Sequence, residues 1–276
     1  MTDTLDGVRA HYRATGLVER LKDALAPLGP ETRQLAPGQL AALDQFHTRG
    51  IAATADIASL AGITAGMSVL DVGSGIGGPA RFVAATHGCR VTGIDLSAPF
   101  VDAARYLTGR TGQDGQVSFM TASALDLPFG DGGFDIALLL HVAMNIADRA
   151  RLYREIRRVL RQGGRFVTFD VVAAGGAPHL PVPWARTPAT SFLLTVAATR
   201  AAIEQAGFRT LVSRDDTEAA LAWVAQNRAA GSPPSPNLGV VMGPDFPQLV
   251  ANLARSLADG RLGILTAVFE AAPPSD

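Results

Sequence analysis

The segment 69–78 reads Val-Leu-Asp-Val-Gly-Ser-Gly-Ile-Gly-Gly, and it places four glycines within six positions directly after an apolar run. Pro79 then opens an apolar, helix-forming stretch, and this order of strand, glycine turn and helix is typical of a nucleotide-binding βαβ unit. Glycines at such a turn leave the backbone N–H groups at the helix N-terminus open to a ligand. A second strand, predicted at 90–95, ends at Asp95, about 20 residues beyond the glycines, where an acid can accept hydrogen bonds from a ribose.

Asp71 is the residue that discriminates between the nucleotides this turn could bind. Gly73, Gly75 and Gly78 match the pattern G-x-G-x-x-G, so the pattern alone permits a dinucleotide. A carboxylate two residues before the first glycine would repel a pyrophosphate, whereas it suits a cationic ligand. S-adenosylmethionine (SAM) is such a ligand, because it carries an ammonium and a sulfonium group. We therefore favour SAM, and an NAD-dependent oxidoreductase is the alternative.

Five blocks along the chain carry a resemblance to class I SAM-dependent methyltransferases, in the order and spacing of that family. They lie at 70–78, 93–97, 124–129, 134–136 and 160–164. The stretches 43–47 (Leu-Asp-Gln-Phe-His) and 141–146 (His-Val-Ala-Met-Asn-Ile) resemble more narrowly a small-molecule group that includes sarcosine/dimethylglycine N-methyltransferases. That narrower resemblance favours an amine nitrogen as methyl acceptor, with O- or C-methylation of a metabolite or natural product as the alternative. A non-catalytic SAM-binding protein is a third hypothesis.

The strands and helices that alternate from Met67 onward indicate a parallel sheet. Together with the resemblance they predict an α/β fold, a doubly wound Rossmann-like seven-stranded sheet whose last strand is antiparallel, with a helical lid and cap. Two helices and a linker lie between the sixth and seventh strands, more than one crossover needs, so part of this segment is expected to cover the substrate. The predicted division is a lid at 1–62, a SAM-binding core at 63–214, a cap insertion at 215–262, and a terminal strand and tail at 263–276.

The segment 148–164 predicts one helix of this core, capped by Asp148 and ended by Gly163 and Gly164. Its buried stripe is predicted to include Leu160. The six arginines between 149 and 161 are predicted to form its solvated face, because an acid is interleaved and the spacing is helical.

The resemblance implies a set of residues that bind SAM and release S-adenosylhomocysteine. Leu96 would pack on the adenine, and a serine at 123 stands where many family members have an acid. Methyl transfer from a sulfonium needs no metal, so no metal ligand is predicted. The predicted cofactor residues are Asp71, Gly73, Ser74, Gly75, Gly78, Asp95, Leu96, Ser123, Ala124 and His141.

Three polar residues are candidates for proton transfer or substrate orientation. His141 follows the fourth strand at the sheet edge where α/β folds bind ligands, so it could act as a base, contact the cofactor or line the pocket. His47 is the second candidate base, with packing between helices as an equal alternative, and Asn145 could orient substrate or cap a turn. Trp184, Trp223 and other aromatic residues of the segments expected to cover the site could form an apolar pocket or a cation–π site for an amine, with ordinary core packing as the default for each of them.

The composition of the chain argues against several kinds of binding partner. The formal net charge is −1 and no basic tail stands out, which argues against nucleic acid. The single cysteine excludes an internal disulfide, and no run of eighteen or more apolar residues suggests a membrane span. The first residues are acidic and lack the features of a signal peptide. We expect a cytoplasmic protein with a small-molecule acceptor and no membrane partner, and a homodimer is compatible with the sequence.

Overall fold

One seven-stranded sheet organises the computed structural model, which describes residues 15–229, 231 and 236–273. The strand order is β3-β2-β1-β4-β5-β7-β6. Neighbouring strands are parallel except that β7 runs antiparallel to both β5 and β6. The predicted doubly wound sheet with an antiparallel last strand is confirmed. The strands are β1 (Ser68–Val72), β2 (Arg90–Asp95), β3 (Val117–Thr121), β4 (Phe134–Leu140), β5 (Leu160–Ala173), β6 (Phe208–Asp215) and β7 (Leu262–Ala271).

Helices cover both faces of this sheet because successive strand residues point to opposite sides. In β1, Val69 belongs to one hydrophobic cluster and Leu70 to the other. The first cluster also includes residues from the helices at 50–61, 78–87, 98–111, 217–229 and 246–258, and the second includes residues from the helices at 149–159 and 196–205. In chain order the helices are α1 (Leu17–Leu25), α2 (Ala41–Asp44), α3 (Gly50–Ala61), α4 (Gly78–His87), α5 (Ala98–Thr111), α6 (Arg149–Val159), α7 (Val196–Gln205), α8 (Thr217–Ala229), α9 (Gly239–Met242) and α10 (Phe246–Ala258).

A buried ion pair fastens the predicted lid to the start of α4. Arg81 donates to Asp44 Oδ2 at 2.8 Å, and the two side chains are 0% and 2% exposed. Arg81 also donates to the carbonyl of Ala104 on α5 at 3.3 Å. Burial raises the pKa of the Asp44 carboxyl even with this guanidinium beside it. A Cβ on Gly78 would lie 2.1 Å from the Asp44 carbonyl oxygen, so the lid backbone can approach α4 this closely only because residue 78 is glycine.

Two predictions about the segment 148–164 are wrong. The helix α6 ends at Val159, and Leu160 begins β5, where it pairs with Phe134 of β4. Pairing with β4 is therefore preferred over one more helical residue. Arg149 is buried rather than solvated, because it donates to the Phe192 carbonyl at 2.8 Å and to the hydroxyl of Tyr153 at 3.2 Å. The Asp148 cap is confirmed, since its carboxylate accepts the Arg151 N–H.

Parts of the predicted lid, cap and tail lie outside the described residues. These parts are 1–14 of the lid, 230 and 232–235 of the cap, and 274–276 of the tail. Across the chain that the structure describes, every helix is too short or too polar to cross a lipid bilayer.

Candidate active site

A cavity of about 220 Å³ lies at the carboxyl ends of β1, β2, β3 and β4. This is the edge where α/β sheets bind ligands. One part of its wall comes from the turns that follow these strands, and the remainder comes from the lid residues 46–48 and from the cap. The cavity wall includes seven of the predicted cofactor residues, Gly73, Gly75, Asp95, Leu96, Ser123, Ala124 and His141.

The glycine turn is tied to the end of β2 by its backbone. The N–H groups of Gly73 and Ser74 both donate to the Ile94 carbonyl at 2.8 Å, and Gly75 N–H donates to Asp95 Oδ2 at 2.9 Å. Gly75 has a φ of +55°, and a Cβ there would meet only Phe46, at 3.9 Å. The turn therefore presents bare backbone to the cavity, with room left where a side chain would stand.

Two acids lie behind and beside this turn. Asp71 is 2% exposed, and its Oδ2 has no hydrogen-bond partner among the described residues. Burial raises the pKa of Asp71 to about 7, and the nearby charge of Asp95 adds to the rise. Burial also raises the pKa of Asp95 to about 6, although it accepts N–H groups from Ser97 and Gly75. A positive group placed here would stabilise both carboxylates.

Three predicted cofactor residues do not line the cavity: Asp71, Ser74 and Gly78. Gly78 packs against the lid instead, as its contact with Asp44 shows. The buried Ser74 hydroxyl lacks a partner within the described chain, and it stands 2.7 Å from where a Cβ on Gly93 would be. On the cavity wall, the hydroxyl of Ser123 accepts the Leu125 N–H at 3.2 Å.

His47 has both ring nitrogens engaged. Nδ1 lies 3.2 Å from the Thr48 carbonyl oxygen, and Nε2 lies 3.1 Å from the Thr54 hydroxyl. Burial lowers the pKa of His47 to about 4, so the ring is neutral near pH 7. Both nitrogens thus lie within hydrogen-bonding distance of protein groups, and this geometry favours a packing role.

His141 differs from His47 because its Nε2 is buried without a partner in the part of the chain that the structure describes. Its ring lies against Phe169, with centroids 5.0 Å apart, and the His47 ring is 6.1 Å away. Burial, with a smaller contribution from His47, lowers the pKa of His141 well below 6.5. The residue has a φ of +56°, an uncommon backbone conformation for a side chain of this size. A neutral imidazole is thus held at the cavity wall.

Asp170, which the sequence did not indicate, holds the turn that carries His141. Its Oδ2 accepts the Ala143 N–H at 2.7 Å, and its Oδ1 accepts the Val171 N–H at 2.9 Å. Burial raises the pKa of Asp170 to about 7, opposed by the charge of Arg149. The one signal in the sequence is an acid inside an apolar strand. In the same turn, the Asn145 amide donates to the Trp184 carbonyl at 2.9 Å, which ties the turn to the loop after β5.

We expect Asp170→Asn to lower stability by about 1–3 kcal/mol, because an amide offers one acceptor oxygen where two N–H groups need one each. For a chain of this size, each kcal/mol corresponds to roughly 2–4 °C in melting temperature. The matched control is Asp148→Asn, because asparagine caps a helix as well as aspartate does and the Arg151 N–H keeps its acceptor. Equal melting temperatures for the two variants would contradict the role given to Asp170.

The fold and the position of the glycine turn at the cavity can be compared with known protein families. Residues 70–168 match the family described as "Methyltransferase domain". This match lies within the part of the chain from β1 to β5, and it confirms the broad resemblance found in the sequence.

Particular relatives carry different methyltransferase names. The "O-methyltransferase resE" of Aspergillus sclerotiorum is 37% identical over 126 residues, which are 46% of this chain and 48% of that protein. The "Sarcosine/dimethylglycine N-methyltransferase" of Halorhodospira halochloris is 36% identical over 111 residues, 40% of each protein. The chain thus spans less than half the length of these curated relatives.

A solved structure shares the whole fold. The geranyl diphosphate C-methyltransferase from Streptomyces coelicolor A3(2), crystallised with Mg²⁺, geranyl-S-thiolodiphosphate and S-adenosyl-L-homocysteine, has a TM-score of 0.69. It is 19% identical, and the match covers 99% of both chains. In the described chain, no three His, Cys, Asp or Glu side chains are grouped so that they could hold a metal ion.

Proposed function

We propose that this chain is a SAM-dependent methyltransferase that acts on a small-molecule acceptor. The observation that carries the proposal is the buried Asp71 carboxylate, unpartnered among the described residues, behind a turn of bare backbone. A buried acid in this state is stabilised by a cation, and SAM brings an ammonium and a sulfonium group. The methyltransferase names of the relatives and the S-adenosylhomocysteine in the solved structure support the same cofactor.

The residues present fit the cofactor group by group. Asp71 would stabilise the ammonium from behind the turn, and the space at Gly75 would take part of the ligand against the bare backbone of the turn. Asp95 already accepts two N–H groups, but each carboxylate oxygen can accept a further hydrogen bond, so the ribose hydroxyls can be held there. Leu96, with the segment 123–124, would flank the adenine.

The bound cofactor supplies an electrophilic methyl group, and the chain has to align an acceptor with it. Proximity and in-line orientation supply most of the rate enhancement in such a displacement. Phe46 of the lid and the aromatic residues of the cap line the same cavity and would keep water out of it. His141 is the remaining candidate base, since His47 has both nitrogens occupied.

Several finer predictions remain part of this proposal. The division into lid (1–62), core (63–214), cap (215–262) and terminal strand with tail (263–276) stays a prediction, and the end of β6 at Asp215 and the start of β7 at Leu262 support it. The formal charge of −1 supports a small-molecule partner rather than nucleic acid. A cytoplasmic location and a homodimer stay predictions.

A thermal-shift experiment tests the cofactor. At a concentration of 100 Kd, SAM or S-adenosylhomocysteine should stabilise the protein by about 2.7 kcal/mol, and NAD should not raise the melting temperature. The reverse result, with NAD stabilising and SAM inert, would replace this proposal by the oxidoreductase. A SAM shift without transfer of labelled methyl from SAM to any acceptor would favour the non-catalytic SAM-binding protein.

A further inference from the structure

The part of the cavity that the cap covers is here named the acceptor chamber. Trp184, Trp223, Leu238, Met242, Phe246 and Val250 line it. All six side chains are aromatic or aliphatic in character. They come from the loop after β5, from α8, and from the segment 238–250. Burial of apolar surface of the acceptor in this chamber is therefore favourable.

Charge is nearly absent from the cavity wall. Among the described residues that line it, Asp95 is the single carboxylate, and no lysine or arginine takes part. Asp95 stands at the glycine turn and is held there by Gly75 and Ser97. An acceptor carboxylate would thus lose its water without gaining a cationic partner, and an acceptor ammonium would find no carboxylate in the chamber.

The two tryptophans raise the alternative of a cation–π site for an amine. Attraction to an indole face is smaller than the cost of stripping water from an unpaired ammonium. Trp184 is also fixed by packing, since it is buried and its indole N–H donates to the Ser191 hydroxyl at 3.0 Å. These observations favour an uncharged acceptor over a cationic one.

Two residues of the cavity wall carry a buried polar atom that makes no hydrogen bond within the described chain. Thr48 is 5% exposed, and its hydroxyl has no hydrogen-bond partner among the described residues. The same holds for Nε2 of His141, and both residues line the cavity. Other buried polar atoms of the described chain also lack a partner, but only these two belong to residues that line the cavity, so together they point to a missing ligand group. A hydroxyl is the group that can satisfy both, because it can donate one hydrogen bond and accept another.

We propose that the acceptor is an uncharged, largely apolar molecule whose hydroxyl group is bound by Thr48 and His141. This inference rests on the proposed function, since it names the substrate class of the same site. It departs from the amine acceptor that the narrower sequence resemblance favours.

Matched ligands test the charge preference without knowledge of the natural acceptor. The chain has two tryptophans, and both line the chamber, so quenching of intrinsic fluorescence reports its occupancy. With S-adenosylhomocysteine present, phenethyl alcohol should bind at least about tenfold more tightly than phenethylamine, which is protonated near pH 7. Equal or tighter binding of the amine would overturn the proposal. Because this comparison uses the unaltered protein, it does not depend on any variant folding.

A pair of variants tests the hydroxyl site. Thr48→Val keeps the shape and removes the hydroxyl, so the affinity for phenethyl alcohol should fall about three- to tenfold while that for ethylbenzene stays the same. Thr210→Val, on the edge strand β6, is the matched control and should change neither affinity. Unchanged alcohol binding by Thr48→Val, or an equal loss for both ligands, would remove Thr48 from the site.

The thermal shift with S-adenosylhomocysteine distinguishes failure of the proposed function from failure of the inference about the acceptor. If that shift is absent from the unaltered protein, the proposed function fails. If the shift is present and the amine is preferred, the inference about the acceptor fails and the proposed function stands.

Discussion

Replacing Asp71 by asparagine is expected to weaken SAM binding by about ten- to a hundredfold. Asparagine keeps the size of the side chain but loses the charge, and a hydrogen bond to a charged group is worth about 1.5–3 kcal/mol. Because we assign Asp71 to the ammonium group, S-adenosylhomocysteine should lose as much affinity as SAM. Titration calorimetry of both ligands measures the effect.

Adenosine provides the control for this substitution, because it has the base and ribose but no ammonium. Its affinity should be the same for the unaltered protein and for Asp71→Asn. An equal loss of affinity for adenosine would mean that the substitution damages the turn, and that Asp71 does not recognise the ammonium.

The same carboxylate predicts a dependence on pH. The pKa of Asp71 is raised to about 7 in the fold, against about 3.9 in an unfolded chain. The folded state therefore binds more protons between these values, so the free energy of unfolding without ligand falls as pH rises from about 4 to about 7. The affinity for SAM should rise over the upper part of that range as the carboxylate ionises.

Melting curves at pH values from about 5.5 to about 8, with and without SAM, measure both trends. Asp44, Asp95 and Asp170 also have raised pKa values, so they contribute to the fall without ligand. The difference between the unaltered protein and Asp71→Asn isolates the contribution of Asp71. A SAM shift that is independent of pH in the unaltered protein would contradict this assignment.

The second large effect is expected from Arg81→Leu, which should destabilise the protein by about 3–5 kcal/mol. The substitution removes one partner of a fully buried ion pair and leaves the Asp44 carboxylate without its counter-charge. Denaturant unfolding measures the loss, and the melting temperature should fall by roughly 6–20 °C.

Two controls show whether the unpaired charge causes this loss. Adding Asp44→Asn to Arg81→Leu should recover part of the stability, because no buried charge then remains unpaired. Arg186→Leu breaks an exposed ion pair with Asp245 and should change the free energy of unfolding by about 0–1 kcal/mol. If Arg81→Leu is as mild as Arg186→Leu, the ion pair does not hold the lid in place.

The sequence predicts those features that are formed by residues close to one another along the chain. The strand before the glycine turn, the turn itself and Asp95 all lie within about 30 residues, and rules of backbone geometry fix their arrangement. The sequence predicts the fourth strand at 134–140, which are its observed bounds, because every residue of this run except Asp135 is apolar.

Features that depend on distant partners were missed. Arg81 and Asp44 lie 37 positions apart, and nothing in either segment shows that they meet. Arg149 has the helical spacing of a solvated residue, yet a loop 43 positions later buries it. Asp170 is an acid within an apolar strand, and the sequence does not show that the Ala143 N–H, 27 positions earlier, donates to it.

The sequence resemblance and the cavity geometry favour different methyl acceptors. Stretches 43–47 and 141–146 resemble a group that includes amine methyltransferases, but resemblance in these stretches says nothing about the cap. The charge of the chamber depends on residues from 183 to 254, which come together only in the folded chain. Among the described residues, no basic or acidic side chain lies in the chamber, and this can be recognised only in the folded chain.

The position of β7 has a consequence for how this protein is made. It pairs with β5 on one side and β6 on the other, although it follows both in the chain. During synthesis, β6 has no neighbour to pair with until β7 leaves the ribosome, so one edge of the sheet stays open until that point. We therefore expect a ribosome-bound nascent chain that stops before Leu262 to resist protease through β5 but to be cleaved within β6.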